Sequence, residues 1–326
     1  MTNQNKKIAI ISAEKFANKI NEDILLKDAF IKLGFSADIV AWENDNIDWS
    51  LYSGAVLRSA WGYHKQIEKF ETFLSKLSQN NVVLVNDTNV IKWNIHKDKQ
   101  FPDLIQEGIN VIPTYFIQNN LHNLEGLLQK FAKKFNCSEF VIKPTISGSG
   151  DNTFLISLDD KIYKKNQISI KEAENKFNHL LKLQNNLGVM LQPYVKGIND
   201  GEYSFVFIDS KLSHVGIRFP AIFHEKKDTL EQDASKLPPE LVIFANKCLY
   251  AVENISKKLQ KEVPVSLPYL RCDIVKNNDQ YMLMEAEAAE PDLLIRNISS
   301  NEKRQKTVFN LAEVLIRKIY FSKESR

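Results

Sequence analysis

Hydrophobic positions along this chain follow two rhythms. Lys7–Ser12 is a short apolar run that predicts a buried strand. Asn21–Leu33 carries Ile24, Leu25, Ala29, Phe30 and Leu33 at helical spacing before Gly34 stops it. Ala37–Trp42 and Ala55–Leu57 predict two more strands, and Ile67, Phe70, Phe73, Leu74 and Leu77 line one helical face. Val82–Val85 predicts a fourth strand. Strands this short, and apolar on both faces, belong to a mostly parallel sheet covered by helices. Residues 1–92 therefore read as a doubly wound α/β domain.

Past residue 93 the order changes. Helices are predicted at Lys97–Glu107, Leu124–Phe135 and Ile170–Leu183, and extended segments at Val111–Ile117, Phe140–Ile142, Thr153–Leu158 and Val189–Gln192. Glu202–Ile208 and Leu212–Arg218 read as an antiparallel pair turning at Asp209-Ser210-Lys211. Leu237–Leu259 is a long helix helped to start by Pro238-Pro239. Leu270–Val275 and Tyr281–Ala286 form a hairpin, and Val308–Tyr320 is a closing amphipathic helix. This makes residues 93–190 and 191–326 two α+β subdomains. Residues 222–238 are the most loop-like stretch and a candidate mobile lid.

Composition narrows the function classes. The 326 residues are 44% hydrophobic and 25% charged, with a formal net charge of only +3. A partner such as duplex nucleic acid or an anionic membrane calls for a larger, clustered basic surplus, so neither is expected. The apolar run after Lys6-Lys7 is too short for a signal-peptide core or a membrane span. Cys137, Cys248 and Cys272 are far apart and form no zinc spacing, which predicts reduced thiols in a cytoplasmic protein. Glycine (11) and arginine (7, against 36 lysines) are scarce, so their placement carries information.

The strongest constellation is Arg271-Cys272-Asp273 with Glu285-Ala286-Glu287. Alternate residues of a strand share a face, so the hairpin can gather three carboxylates and one guanidinium in one small space. Three uncompensated carboxylates repel one another away from water, and a hard divalent cation resolves this. A solvated hairpin face with alternating charges is the plainer alternative, and Glu290, before Pro291, reads as a solvated extra acid. Lys143, followed by Pro144-Thr145-Ile146-Ser147-Gly148-Ser149-Gly150, could hold phosphate through its ammonium and the loop's N–H groups; a flexible surface turn explains it equally well. Gln192-Pro193-Tyr194-Val195, with Glu202 beyond, could frame adenine and ribose, or be only strand, turn and strand.

In order, these pieces resemble the ATP-grasp superfamily of carboxylate–amine ligases. Within it they look most like the glutathione-synthetase-like branch that includes the O-ureido-serine cyclo-ligases. The words that carry the likeness are Leu57-Arg58-Ser59-Ala60-Trp61-Gly62-Tyr63-His64, Lys92-Trp93-Asn94 with Lys97, Ile112-Pro113-Thr114, Gln192-Pro193-Tyr194 and Met284–Pro291. The resemblance implies an ATP-grasp fold whose two α+β subdomains grip ATP. It implies that Lys97, Lys143, Ser147 and Gly148 meet the phosphates, that Gln192, Tyr194 and Val195 frame adenine, and that Glu202 holds the ribose. Asp273, Glu285 and Glu287 would ligate two Mg2+ ions, or Mn2+ in their place. Arg218 and Arg271 would steady the transferred phosphoryl group. Glu287 stands where many members carry Asn, which marks a branch, since a carboxylate still ligates magnesium.

The expected reaction is activation of a substrate carboxylate as an acyl-phosphate, followed by attack of an amine, with ADP and phosphate released. The substrate would be a small amino-acid or peptide-like molecule, and a homodimer is compatible with the resemblance. Arg58 and Ser59, at a strand end where open α/β sheets bind ligands, are expected to hold the substrate carboxylate, with Tyr63 shaping the pocket. An interdomain salt bridge is the structural alternative for Arg58. A nucleotide-binding regulatory protein without turnover is the rival functional reading.

Overall fold

The computed structural model of the chain describes residues 7–118, 122–148, 150–159, 166–183, 188–219, 228–260 and 266–320. The first unit runs β1 (Lys7–Ser12), α1 (Asn21–Lys32), β2 (Ser36–Ala41), β3 (Tyr52–Leu57), α2 (Ile67–Gln79) and β4 (Val83–Val85). Its four strands are all parallel, in the order β2-β1-β3-β4. Ile8 to Ile11 are fully buried because both faces of the sheet are covered. On one face Ile11 and Leu57 meet Phe70, Phe73, Leu74 and Leu77 of α2, at the spacing read from the sequence.

Two further helices follow, α3 (Thr88–Ile95) and α4 (Lys97–Gln106). The apolar rhythm did not announce α3. The structure shows it capped at its start: the Asp87 carboxylate accepts a hydrogen bond from the Asn89 amide at 2.8 Å.

The middle unit contains β5 (Tyr115–Ile117), α5 (Leu124–Phe135), β6 (Glu139–Pro144), β7 (Phe154–Ser157), α6 (Ile170–Leu183) and β8 (Val189–Pro193). Its sheet is antiparallel, in the order β5-β8-β6-β7. Leu128 and Phe131 of α5 and Phe177 of α6 close its core against Phe140, Ile142 and Leu191.

The last unit contains β9 (Glu202–Ile208), β10 (Lys211–Arg218), β11 (Leu230–Gln232), α7 (Pro239–Leu259), β12 (Tyr269–Asn277), β13 (Gln280–Glu287) and α8 (Asn301–Tyr320). The five strands form an antiparallel sheet in the order β11-β10-β9-β12-β13. One face, with Phe205, Phe207, Cys272, Ile274 and Ala286, packs on Leu241, Ala245, Cys248 and Val252 of α7. Of the stretch expected as a lid, residues 222–227 lie outside the described residues. Its second part is ordered differently from a loop, because Leu230–Gln232 pairs with Val215–Ile217 as an edge strand.

α8 is seven residues longer than its apolar pattern, since residues 301–306 are wholly polar. It returns to the first unit and packs on α1, β3 and β4. Leu311, Leu315 and Ile319 share a core with Ile8, Ile10, Phe30 and Val56, and with Val206, Ile208 and Tyr269 of the last sheet. The chain's end thus covers the second face of the N-terminal sheet. Among the described residues, no helix is long and apolar enough to cross a membrane.

Candidate active site

The uncovered face of the last sheet forms one wall of a cleft of about 580 Å³. Register puts its charges side by side. Arg271 lies opposite Glu287, Asp273 opposite both Glu285 and Ser204, and Arg218 opposite Glu202. Asp273, Glu285 and Glu287 each bring an oxygen within 4.8 Å of the others. Between Asp273 and Ile274 the pairing of β12 with β13 slips by one residue. This bulge lets two consecutive side chains, Met284 and Glu285, both reach the cleft.

The acids are matched by cations. The Lys97 ammonium lies 2.8 Å from Glu285. Arg218 pairs with Asp273 at 2.6 Å and also with Glu202, and its Nε donates to Ser204 Oγ at 2.7 Å. Ser204 Oγ in turn donates to Asp273 at 2.7 Å. Arg271 is 3% exposed and every guanidinium nitrogen is engaged: Nε and Nη2 on Asp273, Nη2 on Glu287 at 2.6 Å, and Nη1 on the Asp292 carbonyl at 2.9 Å.

Burial penalises each charge, and the neighbours decide the outcome. Burial raises Glu285, but Lys97 and then Lys143 outweigh it and hold the carboxyl well below the usual range. Asp273 is held low against burial by Arg218 and Arg271. Burial pushes Glu202 up despite Arg218. It pushes Glu287 far up, reinforced by Glu285 and Asp273 and opposed by Arg271. Lys143 projects from β6 and is lowered by burial; among the described residues no carboxylate pairs with it.

The opposite wall comes from the middle unit. Lys143, Ser147, Gly148, Gly150 and Thr153 line it, and Ser149 lies outside the described residues. Asp151 ties this loop to the first unit through His64 Nε2 at 3.0 Å and Lys65 at 3.2 Å. Further along, Gln192, Tyr194 and Val195 line the cleft. Gln192 is fixed by its amide on Thr114 Oγ1 at 2.9 Å, and the Tyr194 hydroxyl on Asn199 at 2.6 Å. Leu155, Tyr194 and Ile198 make an apolar patch with Val141 and the bulged Met284. Gly201, at φ +109°, turns the chain from this wall into Glu202.

Of the three residues expected at the substrate, only Tyr63 lines the cleft. Arg58 is 4% exposed, donates to the Pro291 carbonyl at 3.2 Å and lies over the Tyr269 ring. Ser59 is buried behind it, bonded to Ser12 at 2.6 Å and to Asp23. Arg58 joins the first unit to the last, and Ser59 bonds within the first unit; neither lines the cavity.

Known proteins share this fold. Residues 8–86 match the family described as the N-terminal domain of the D-cycloserine synthetase DcsG. The cycloserine biosynthesis protein DcsG of Streptomyces lavendulae is 29% identical over 191 residues, a match that spans 58% of this chain and 59% of that protein. The crystal structure of D-cycloserine synthetase DcsG aligns with a TM-score of 0.77 at 23% identity, covering 95% of this chain and 99% of that one. The ATP-grasp ligase PsnB, solved with a phosphomimetic variant of its minimal precursor, Mg and ADP, aligns with a TM-score of 0.59 at 12% identity, covering 97% and 100%. The chain has the ATP-grasp fold.

Within this fold, several supporting residues carried no sequence signal strong enough to single them out. Asn94 is 2% exposed; its amide donates to the Ala286 carbonyl at 2.8 Å and its oxygen accepts from the Ala288 and Ala289 amides at 2.9 and 3.1 Å. Gln100, fully buried, adds a bond to Ala286 at 2.8 Å, and Asn86 one to Ala288 at 2.5 Å. These amides hold the backbone that carries Glu285 and Glu287. The Lys92-Trp93-Asn94 word was the available hint.

Proposed function

We propose that the protein is an ATP-dependent ligase that activates a substrate carboxylate as an acyl-phosphate and joins it to an amine, releasing ADP and phosphate. The observation that carries this is the convergence of Asp273, Glu285 and Glu287 beside Lys97, Lys143, Arg218 and Arg271 in one cleft between two ATP-grasp subdomains. DcsG and PsnB, by their names, are a synthetase and a ligase on this fold.

The roles follow from chemistry and position. Val141, Tyr194, Ile198 and Met284 offer an apolar slot for adenine, and Glu202 offers acceptors to the ribose hydroxyls. Lys143, lacking a carboxylate partner among the described residues, and Lys97 bind the triphosphate, with Ser147 and Gly148 covering it. Three converging carboxylates are the hard oxygen donors that magnesium takes; Asp273, Glu285 and Glu287 fit it and would hold up to two ions. Magnesium there supplies charge neutralisation to the phosphates. Arg218 keeps Nη1 free of partners among the described residues and meets the transferring phosphoryl oxygens. Arg271 orients the acids.

In the reaction, a substrate carboxylate oxygen attacks the γ-phosphorus and the bond to ADP breaks. The amine then attacks the acyl carbon, loses a proton, and phosphate leaves. The cleft must exclude water from the acyl-phosphate, and the Asp151–His64 contact closes the loop on that side.

The test is phosphate release with Mg-ATP across a panel of amino acids and dipeptides. Glu285→Gln should abolish it while the circular dichroism spectrum stays unchanged. Full turnover in that variant would remove the assigned metal site.

A further inference from the structure

The charges of the cleft pair off almost completely. Lys97 faces Glu285, Arg271 faces Asp273 and Glu287, Arg218 faces Asp273 and Glu202, and Arg296 faces Asp292 and Glu22. Lys143, assigned above to the triphosphate, is one exception, and Glu290 is the other among the described residues. It lines the cleft half-buried, outside the cluster of Asp273, Glu285 and Glu287. Among the described residues no cation lies within ion-pair distance of its carboxylate; its side-chain partner is the Tyr63 hydroxyl, a neutral donor.

Its position is over-determined. The Trp61 indole N–H donates to the Glu290 main-chain carbonyl at 3.2 Å. The preceding residue, Ala289, is pinned by Asn94 at 3.1 Å. Two aromatic residues of the first unit thus meet Glu290 of the last unit, Trp61 at its backbone carbonyl and Tyr63 at its carboxylate, and all three line the cleft. A carboxylate drawn out of water needs a cation or several donors, and one phenol meets only part of that need. Aromatic rings alongside favour a cationic visitor. A metal ion is a poorer match, since one carboxylate is far from the six oxygens magnesium requires.

We propose that Glu290 binds the ammonium group of the carboxylic-acid substrate, with Tyr63 as its positioning residue, so that the site selects amino acids over their des-amino counterparts. The inference rests on the ligase reading. Glu290 lines the same cleft as Glu285, Glu287, Lys97 and Lys143, so an amino acid with its ammonium on Glu290 keeps its carboxylate in the cavity that holds the proposed phosphate site.

The experiment traps the acyl-phosphate with hydroxylamine as a hydroxamate. The probes are the common amino acids in both hands, each beside its des-amino acid, such as propionate for alanine and 3-hydroxypropionate for serine. The wild type should favour the amino acid by about 10- to 100-fold in KM, the range for a hydrogen bond to a charged group. Glu290→Gln should collapse that ratio to within about three-fold. Tyr63→Phe should give an intermediate ratio with a KM effect larger than its kcat effect, since the carboxylate remains but is less well aimed. Calorimetric Mg-ATP binding is measured on each protein as the control. A wild type that fails to bind Mg-ATP overturns the ligase reading itself. Intact Mg-ATP binding with no amino-acid preference, or with a preference that survives both substitutions, overturns the Glu290 assignment alone.

Discussion

Asp273→Asn isolates how the cleft holds its charge before any ligand arrives. Asp273 is fully buried and accepts from Arg271 Nε at 3.0 Å, Arg271 Nη2 at 2.9 Å and Ser204 Oγ at 2.7 Å, with Arg218 Nη2 at 2.6 Å. The amide keeps the shape but removes the charge, and it turns an NH2 toward at least one guanidinium. Removing one partner of a buried pair costs about 3–5 kcal/mol. Arg218 keeps Glu202 and Arg271 keeps Glu287, so the lower end, about 3 kcal/mol, is expected. With a urea dependence of about 3 kcal/mol per molar for a chain of this size, the unfolding midpoint should fall by about 1 M without nucleotide. Glu287→Gln is the internal comparison. Its side chain is 24% exposed and meets one guanidinium, so its midpoint should fall by less than half as much. Equal shifts in the two variants, or no shift in Asp273→Asn, would refute the argument that Asp273 centres the network.

Ile319→Ala should cost about 2–5 kcal/mol, because Ile319 is fully buried and sits where Gly54 has no side chain; hydrogen exchange should show the loss at β1 and β3, far from Ile319 in sequence. Glu231 gives a pH prediction. Partial burial raises its carboxyl, but Lys303 at 2.6 Å and the Ser299 hydroxyl and amide outweigh this and hold it at about 2. A depressed carboxylate stabilises the fold above its ordinary value of 4.5 and loses that contribution as pH falls from there toward about 2. Glu231→Gln should therefore lower stability at pH 7 by about 1 kcal/mol and flatten the decline below pH 4.5; parallel acid profiles would discard the assignment. Asp151→Asn should raise the KM for ATP by about three- to ten-fold through loss of the His64 and Lys65 contacts, read by phosphate release, and an unchanged KM would detach that loop from nucleotide binding.

Local rules made much of the site legible. Two residues apart on a strand means one face, so Arg271 with Asp273, and Glu285 with Glu287, were assigned a shared space before any fold was known. The parallel character of the first sheet likewise followed from runs apolar on both faces. The edge strand Leu230–Gln232 was not legible, because three residues carry too little pattern. Nor was the polar start of α8, which lies against little that is apolar.

What only the tertiary structure decided is which surfaces meet. Nothing local says that α8 returns to cover the N-terminal sheet, or that the Asp273/Ile274 slip turns Met284 into the cleft beside Glu285. Arg58 and Ser59 sit at a strand end in sequence and in space, yet Arg58 is taken up by Pro291 and Tyr269 of the last unit and Ser59 by Ser12 and Asp23, which leaves Tyr63 on the wall. Glu290 read as one more solvated acid, since its neighbours in sequence are Ala289 and Pro291. Its environment is set by Trp61 and Tyr63, which the chain brings to it from the other end of the fold. Periodicity and capping are short-range and survive in a linear string; charge pairing and exposure depend on partners distant in sequence, and only packing chooses them.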